Sequence, residues 1–307
     1  MKKLALVTGA SSQLGVFLLP RLRDAGFEVL AFSRKAPDLP LEAVEGVNWV
    51  HPDYLDGQQP DAIAVAPPAP VVLISCGPLE LACELVEKRP AIRRVVAFST
   101  SSIISKKNSV DRQEKALISS IASQEQRLRK MCHERGLPLL LLRPTLIYGC
   151  GMDSNVSLLR KLAQRFGAIP LAGAAAGLRQ PVHADDLASL ALGAVERAAP
   201  VNLASEVCGG STLSYREMAE GVAASCSRKV RLLTVPPGLL AAAVNVLSLL
   251  PPWKGLTAEM VKRQSKDLLF DDSALRKALS YDPRPFQPGP QDFKVPNHAK
   301  RLQLPSH

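Results

Sequence analysis

Leu4-Ala5-Leu6-Val7-Thr8-Gly9-Ala10-Ser11-Ser12-Gln13-Leu14-Gly15 is a short apolar run ending at Thr8, then a glycine-bounded turn that leads into Val16-Phe17-Leu18-Leu19. Strand, tight turn and helix in that order build an anion site. The first glycine permits the turn and the last lets helix and strand pack closely. The free N–H groups of the helix start then point at a diphosphate. The spacing Gly9-x-x-Ser12-x-x-Gly15 lacks the middle glycine of a full Gly-x-x-Gly-x-x-Gly loop. Ser12 is small enough to let a pyrophosphate approach, and its hydroxyl is an extra donor. Two glycines also occur in plain strand–helix turns, so the dinucleotide reading of Gly9, Ser11, Ser12, Gln13, Leu14 and Gly15 leans on later stretches.

The chain has 307 residues, enough for one large α/β domain or two smaller ones. Hydrophobic residues make up 47% and charged residues 21%, which excludes a disordered chain. Cys76, Cys83, Cys132, Cys150, Cys208 and Cys226 are scattered without a C-x-x-C pair. They read as reduced, buried thiols of a cytoplasmic protein, and no metal site is assigned. Met1-Lys2-Lys3 has the charge of a signal start, but the apolar run behind it breaks at Thr8-Gly9. The net charge of +10 is dispersed, and no aromatic residues are interleaved as stacking platforms. That pattern argues against nucleic acid as a specific partner and for phosphorylated ligands.

Further along, Val16 to Ala25 reads as a helix closed by Gly26, and Glu28 to Phe32 as a second strand. An acidic residue at the end of that strand would take the ribose hydroxyls and favour NAD. Ser33-Arg34-Lys35 stands there instead, and Arg34 can pair with a 2′-phosphate, which favours NADP with NAD as the alternative. Val47 to Val50 is a short third strand, followed by Asp53-Tyr54, candidates for the adenine edge, although Asp53 could equally cap a turn. Val71 to Ser75 is a fourth strand whose exit, Ser75-Cys76-Gly77-Pro78, is small enough for a dinucleotide to cross. Leu79 to Lys88 is helical, and Arg94 to Phe98 is a fifth strand ending in Ser99-Thr100-Ser101-Ser102. A long helix, Gln113 to Arg135, precedes a sixth buried strand, Leu137 to Leu142. This alternation predicts an α/β fold, a doubly wound parallel sheet of Rossmann type with a smaller, mostly helical C-terminal substrate region. Residues 1–150 form the expected dinucleotide-binding core, to which 179–204 return. Residues 151–178 and 205–295 form the substrate-binding region, and 296–307 are a basic tail.

In the second half, Val156 to Phe166 reads as a helix, Gly173 to Gly177 as a small-residue loop and Gln180 to His183 as extended. Asp185-Asp186-Leu187-Ala188 opens another helix with carboxylates at its positive end. Gly238 to Leu250 is almost wholly apolar. At about 13 residues it is shorter than the roughly 20 needed to span a bilayer, so a packed helix or a lid is expected rather than a transmembrane segment. It also lacks the basic polar face of a helix lying on a membrane.

With these pieces placed, the chain resembles the extended short-chain dehydrogenases/reductases, the NAD-dependent epimerase/dehydratase group acting on nucleotide sugars. Three motifs carry the resemblance: Thr8 to Gly15, Leu142-Arg143-Pro144-Thr145-Leu146-Ile147-Tyr148-Gly149, and Arg179-Gln180-Pro181-Val182-His183-Ala184-Asp185-Asp186-Leu187-Ala188. The resemblance implies that Ser101 is the active-site hydroxyl, that Pro144 and Leu146 pass the nicotinamide, and that Arg179 grips the diphosphate of a nucleotide sugar, with Asn155 beside it. An arginine next to a small-residue loop suits a bidentate phosphate ligand, and a surface ion pair with Asp185 or Asp186 is its alternative. Tyr148 and His183 fall in packed positions. A homodimer is what the resemblance suggests.

One departure is large. The family pattern places Tyr-x-x-x-Lys at the start of the helix after strand five, where lysine lowers the tyrosine's pKa so that it moves the substrate proton. None of Tyr54, Tyr148, Tyr215 and Tyr281 lies between Ser101 and Arg143. The tyrosine position falls near Ala116 or Leu117, and the lysine near Ser120 or Ile121. Lys106, Lys107, Lys115 and Glu114 lie in the right region to substitute, although charged residues at a helix start are usually solvated. The expected function is therefore an epimerase, dehydratase or reductase of a nucleotide sugar with non-standard acid/base residues. The alternative is a dinucleotide-binding module, such as a redox sensor or complex subunit, that has lost the chemistry.

Overall fold

A computed structural model describes residues 3–33, 47–50, 70–107, 111–250, 253 and 256–296. Arg34, Asp53 and Tyr54, and all of the basic tail but Pro296, lie outside the described residues. The first half runs β1 (Lys3–Thr8), α1 (Gln13–Asp24), β2 (Phe27–Phe32), β3 (Val47–Val50), β4 (Val71–Ser75), α2 (Leu79–Lys88), β5 (Ile92–Phe98), α3 (Ser102–Ser105), α4 (Arg112–Glu134) and β6 (Leu139–Pro144). The second half runs β7 (Ile147–Tyr148), α5 (Val156–Phe166), β8 (Ala168–Ala172), β9 (Leu178–Arg179), β10 (Val182–His183), α6 (Ala184–Glu196) and β11 (Leu203–Val207). It ends in β12 (Leu213–Ser214), α7 (Tyr215–Ala224), β13 (Arg231–Val235), α8 (Pro237–Leu247), α9 (Ala258–Arg263), α10 (Ser273–Leu279) and a 3₁₀ turn, Pro290–Phe293.

Among the described residues seven strands form one parallel sheet in the order β11-β6-β5-β4-β1-β2-β3. This is the doubly wound Rossmann sheet expected from the alternation of buried runs and helices. Side chains alternate across β1: Ala5 and Val7 face the core under α1 and α6, and Leu4 and Leu6 face the core under α2 and α4. Both faces are buried, which is why these strands read as continuous apolar runs rather than alternating ones. The strand order reverses between β1 and β4, so a crevice opens beyond their carboxyl ends, where such sheets bind ligands.

Two arginines hold the layers in place. Arg94 of β5 donates one nitrogen to the carbonyls of Ala194, Val195 and Arg197 (2.8, 3.0 and 2.9 Å), satisfying the end of α6. Arg143 of β6 pairs with the buried Glu125 of α4 and with Glu206 of β11 at 3.1 Å. Removing one partner of such a buried cluster strands a charge, at a cost of about 3–5 kcal/mol.

The element limits differ from the sequence reading for local reasons. The long helix begins at Arg112, because the Asp111 carboxylate accepts from the N–H groups of Gln113 and Glu114. The sixth strand begins at Leu139, because Leu137 N–H closes α4 on the Cys132 carbonyl at 2.8 Å and Pro138 has no N–H to give. A third core gathers Tyr148, Val156, Ile169, Leu171, Met218 and Phe286 under α5 and α7, around the parallel β8–β13 ribbon. Most of the apolar segment at 238–250 lies in α8, which ends at Leu247 and packs on one side against Ala172 and Val261 through Leu240 and Val244. All six cysteines are unpaired, and burial pushes the thiols of Cys132 and Cys150 up to about 11 and those of Cys76 and Cys208 up to about 12.

The network Arg21–Asp185–Arg284–Asp186 ties α1, α6 and the C-terminal segment together. Burial pushes the Asp185 carboxyl up, but hydrogen bonds from Arg21 and Arg284 outweigh it and hold the group below its ordinary range. A carboxyl lowered by folding stabilises the fold above its unfolded pKa, near 4, and loses that contribution as pH falls through the lower folded value. Unfolding free energy measured from about pH 6 down to 2 is expected to fall steeply below about pH 4. Asp185→Asn is expected to be less stable at pH 6 and to show a flatter acid limb.

Candidate active site

The crevice begins with a backbone crossing. Gly9 has φ +62°, and a β-carbon there would lie 2.5 Å from the Cα of Gly77 at the exit of β4. A β-carbon on Gly15 would lie 1.9 Å from the carbonyl oxygen of Ala10. The turn is thus pressed onto β4 and onto its own helix. Thr8 Oγ1 donates to Ser75 Oγ at 2.9 Å, and Cys76 N–H donates to the Thr8 carbonyl at 2.8 Å, so Ser75 helps to join β1 to β4 and keeps its own hydroxyl hydrogen to donate. Ser12 caps α1, its Oγ accepting from Gly15 N–H at 3.4 Å, and retains its own hydroxyl hydrogen to donate. The Ser11 and Ser33 hydroxyls bond at 2.8 Å, fastening the loop to the end of β2. Leu14 is buried beneath the loop.

Two buried polar atoms in this region have no partner among the described residues: Gln13 Oε1 and Ser99 Oγ. Orphaned groups of this kind are rare and call for an explanation. A dinucleotide is a fitting one: the loop leaves no room for side chains, the N–H groups of α1 are aimed outward, and unsatisfied polar atoms flank it.

The cleft beside the loop has a volume of about 390 Å³ and brings together Gln13, Ser101, Lys106, Leu146, Asn155 and Arg179. Ser101 is held by its N–H to the carbonyl of Pro144 (3.1 Å), and its own carbonyl receives Ile104 and Ser105 N–H (3.1 and 3.2 Å). Its hydroxyl makes no hydrogen bond among the described residues. Pro144 thus lies behind Ser101, and Leu146 forms part of the wall. Asn155 stands at the start of α5 without capping it; Asp153 does that, accepting from the N–H groups of Asn155 and Ser157 (2.9 and 3.0 Å).

Arg179 is only 4% exposed. It donates to the carbonyls of Leu178 (2.7 Å), Lys266 (2.6 Å) and Arg263, with its guanidinium over the Tyr215 ring. The ion pair considered for it is not formed: Asp185 and Asp186 are taken by Arg21 and Arg284. His183 is a packed residue, as its position in the pattern suggested. Its Nδ1 accepts from Asp185 N–H at 3.1 Å, its Nε2 meets Asp292 at 3.3 Å, and its ring abuts Tyr148 edge-on.

The tyrosine question has a geometric answer. α4 contributes no side chain to the cleft wall among the described residues; Leu117 is 60% exposed, and Ala116 and Ser120 are also on the outside. On this side the wall is made by α3 and the residue after it, Lys106. Lys106 Nζ lies 2.9 Å from Glu114 Oε1, and the Arg263 guanidinium donates to both Glu114 oxygens, at 3.2 Å to Oε1 and 2.5 Å to Oε2. Burial pushes the phenol of Tyr215, which also lines the cleft, up to about 12, and burial raises Tyr148 and Tyr281 as well. A group acting near neutrality needs a pKa near neutrality, and these three phenols move away from it. The sequence reading missed Thr145, Gln180, Tyr215 and Arg263 in this wall. Thr145 and Gln180 sit inside motifs that were quoted for other members. Arg263 reaches Glu114 from 149 positions away, a pairing with no local signal.

A model of the NAD-dependent epimerase/dehydratase family matches residues 5–204. An uncharacterised protein, y4nG of Sinorhizobium fredii, is 30% identical over 156 residues, which are 48% of this chain and 37% of that protein. Among solved structures, the fold is similar to UDP-glucuronic acid 4-epimerase from Bacillus cereus in complex with UDP-glucuronic acid and NAD, with a TM-score of 0.66, 16% identity and coverage of 97% and 99% of the two chains. It is similar also to dTDP-glucose 4,6-dehydratase from Bacillus anthracis in complex with NAD, with a TM-score of 0.66, 14% identity and 98% of each chain covered.

Gly9→Val puts a branched side chain into a left-handed position and against Gly77. The expected loss is roughly 3 kcal/mol of stability. In a thermal-shift titration the folded fraction is expected to lose its response to NADH and NADPH alike.

Proposed function

We infer the activity from one premise: the chain belongs to the NAD-dependent epimerase/dehydratase family. The reading is an epimerase, dehydratase or reductase that acts on a nucleotide sugar in the cytoplasm, with NADP as the preferred cofactor. One observation carries it: the glycine cradle with its orphaned Gln13 oxygen opens into the same cleft as the free Ser101 hydroxyl. A nicotinamide bound there supplies hydride transfer. Gly9, Ser12 and the start of α1 hold the pyrophosphate, Gly77 admits the backbone close to it, and Ser99 and Pro144 support the nicotinamide side. Arg34, placed directly after β2 in the sequence, meets the 2′-phosphate. Asp53 and Tyr54 are assigned to the adenine edge, and Leu146 to the nicotinamide wall. Ser101 hydrogen-bonds the sugar oxygen that reacts. Asn155 and Arg179 border the substrate half, Arg179 as a rigid wall whose guanidinium is already used.

Proton movement needs a substitute for the missing pair, and Lys106 is the amine of the cleft wall. Held against Glu114, it takes a proton from the sugar hydroxyl while passing one of its own to the carboxylate, so the ammonium persists and the glutamate ends protonated. A second reading, a dinucleotide-binding module without turnover, is favoured by α4 turning its surface away from the cleft. A homodimer follows only from the family likeness.

Titration with NADPH, NADH and a panel of UDP- and dTDP-sugars separates the two readings, since a ligand that prefers the folded state raises the melting temperature. Stabilisation by NADPH and then further by one sugar is expected; stabilisation by cofactor alone selects the module. Arg34→Ala is expected to weaken NADPH at least tenfold more than NADH, about 1.4 kcal/mol, and equal losses would sink the NADP assignment. With the sugar identified, Ser101→Ala and Lys106→Met are each expected to lower kcat by about 10²-fold with little change in KM. Unchanged turnover in either removes that residue from the mechanism.

A further inference from the structure

We propose that the outward face of α8, together with the cations beside it, docks on an anionic membrane surface. The inward face of α8 is accounted for: Leu240, Ala241 and Val244 pack on Ala172, Val235 and Val261. The outward face is Leu239, Ala242, Ala243 and Val246, an apolar stripe at helical spacing, continued by Leu249 and Leu250. Val246 is 68% and Leu249 77% exposed. The helix carries no charged residue, and Asn245 is its one polar side chain.

The surroundings say what fits there. The helix and β13 are each about 16 Å long, and the contact between Trp253, just past α8, and Phe166, just before β8, brings the chain back to where the ribbon begins. At that end the Trp253 and Phe166 ring centroids lie 5.8 Å apart, tilted by 32°, with Phe166 exposed. Strand alternation puts Leu233, also exposed, and Arg231 on the same face of the ribbon as Val235, the face that α8 covers. Arg165 precedes Phe166, and Arg228 donates to the Gln164 carbonyl and lies against Gly167. Arg165, Arg228, Lys229 and Arg231 are all exposed, and none forms an ion pair among the described residues. From Val222 to Ala258 the sequence holds four basic residues and no acidic one.

An apolar stripe, an aromatic pair at its edge and unpaired cations beyond it match the layers of an anionic leaflet: acyl boundary, interface and charged headgroups. The cations, absent from the helix itself, are supplied by the neighbouring ribbon and loop, which is why the segment alone lacks this signature. A second copy of the chain fits poorly. A two-fold contact would set this segment against its own copy, and from 222 to 258 it offers no carboxylate to pair with those cations.

The test is co-sedimentation of the whole chain with phosphatidylcholine vesicles with or without about 30% phosphatidylglycerol. At least tenfold stronger partition into the anionic vesicles is expected, weakened at ~0.5 M salt. Val246→Asp with Leu250→Asp is expected to lower partition at least tenfold. Leu239→Asp, at the other end of the stripe, checks the result should the pair fold poorly, and an unchanged melting temperature verifies each variant. Lys229→Glu with Arg231→Glu is expected to abolish the preference for anionic lipid while leaving the melting temperature in place. Failure to sediment with either vesicle overturns the proposal. So does binding that none of these substitutions alters. A dimer in sedimentation velocity that Val246→Asp dissolves overturns it in favour of a second copy.

Discussion

The contact between Gly9 and Gly77 is the constraint on which the rest depends. Two backbones pass so closely that neither position has room for a β-carbon. That approach joins the β1–α1 turn to the exit of β4, the point at which the sheet changes winding direction. It keeps the mouth of the crevice free of side chains and lets the first N–H groups of α1 face outward. Ser75 and Thr8 reinforce the crossing from within the sheet, leaving Ser12, Gln13 and Ser99 to face whatever lies in it. A ligand made of phosphates and flat rings suits such a place, because it needs backbone donors and close approach more than it needs side chains.

What was legible in the sequence is what short-range physics decides. The β1–α1 turn, the helix at Val156–Phe166 and the sheet strands follow from glycine placement and apolar periodicity within about a dozen residues. His183 and Tyr148 were legible as packed residues because their motif is an apolar strand. What was not legible is set by partners far apart in the chain. Arg94 reaches α6 across 100 positions, Arg263 reaches Glu114 across 149, and Arg179 finds carbonyls from 84 to 87 residues on. Arginine offers donors in several directions, and nothing local tells whether carboxylates, phosphates or the free carbonyls of a nearby turn will take them. Glu125, buried in a helix whose sequence is mostly polar, belongs to the same class.

The missing tyrosine and lysine become intelligible when α3 and α4 are separated. A helix supplies a proton-moving side chain only if its inner face borders the cleft. Here the short α3 and Lys106 border it, and α4 stands behind them, reaching forward only through Glu114. The three described phenols are all driven upward by burial, so none is tuned for proton transfer near neutrality. In the mechanism proposed above, proton movement rests on an amine–carboxylate pair rather than on a phenol, with Arg263 bound to the same carboxylate.

The rim and the apolar surface meet in one short helix. α9 buries Val261 beside Leu240 of α8 and Ala172 of β8. Two residues later, Arg263 gives its guanidinium to Glu114 and its carbonyl to Arg179. Anything that seats α8 against a surface therefore bears on the segment that closes one side of the cleft. Such a chain of packed and hydrogen-bonded groups acts as a brace, not a switch, because a switch needs a second discrete arrangement that one of the two sites prefers.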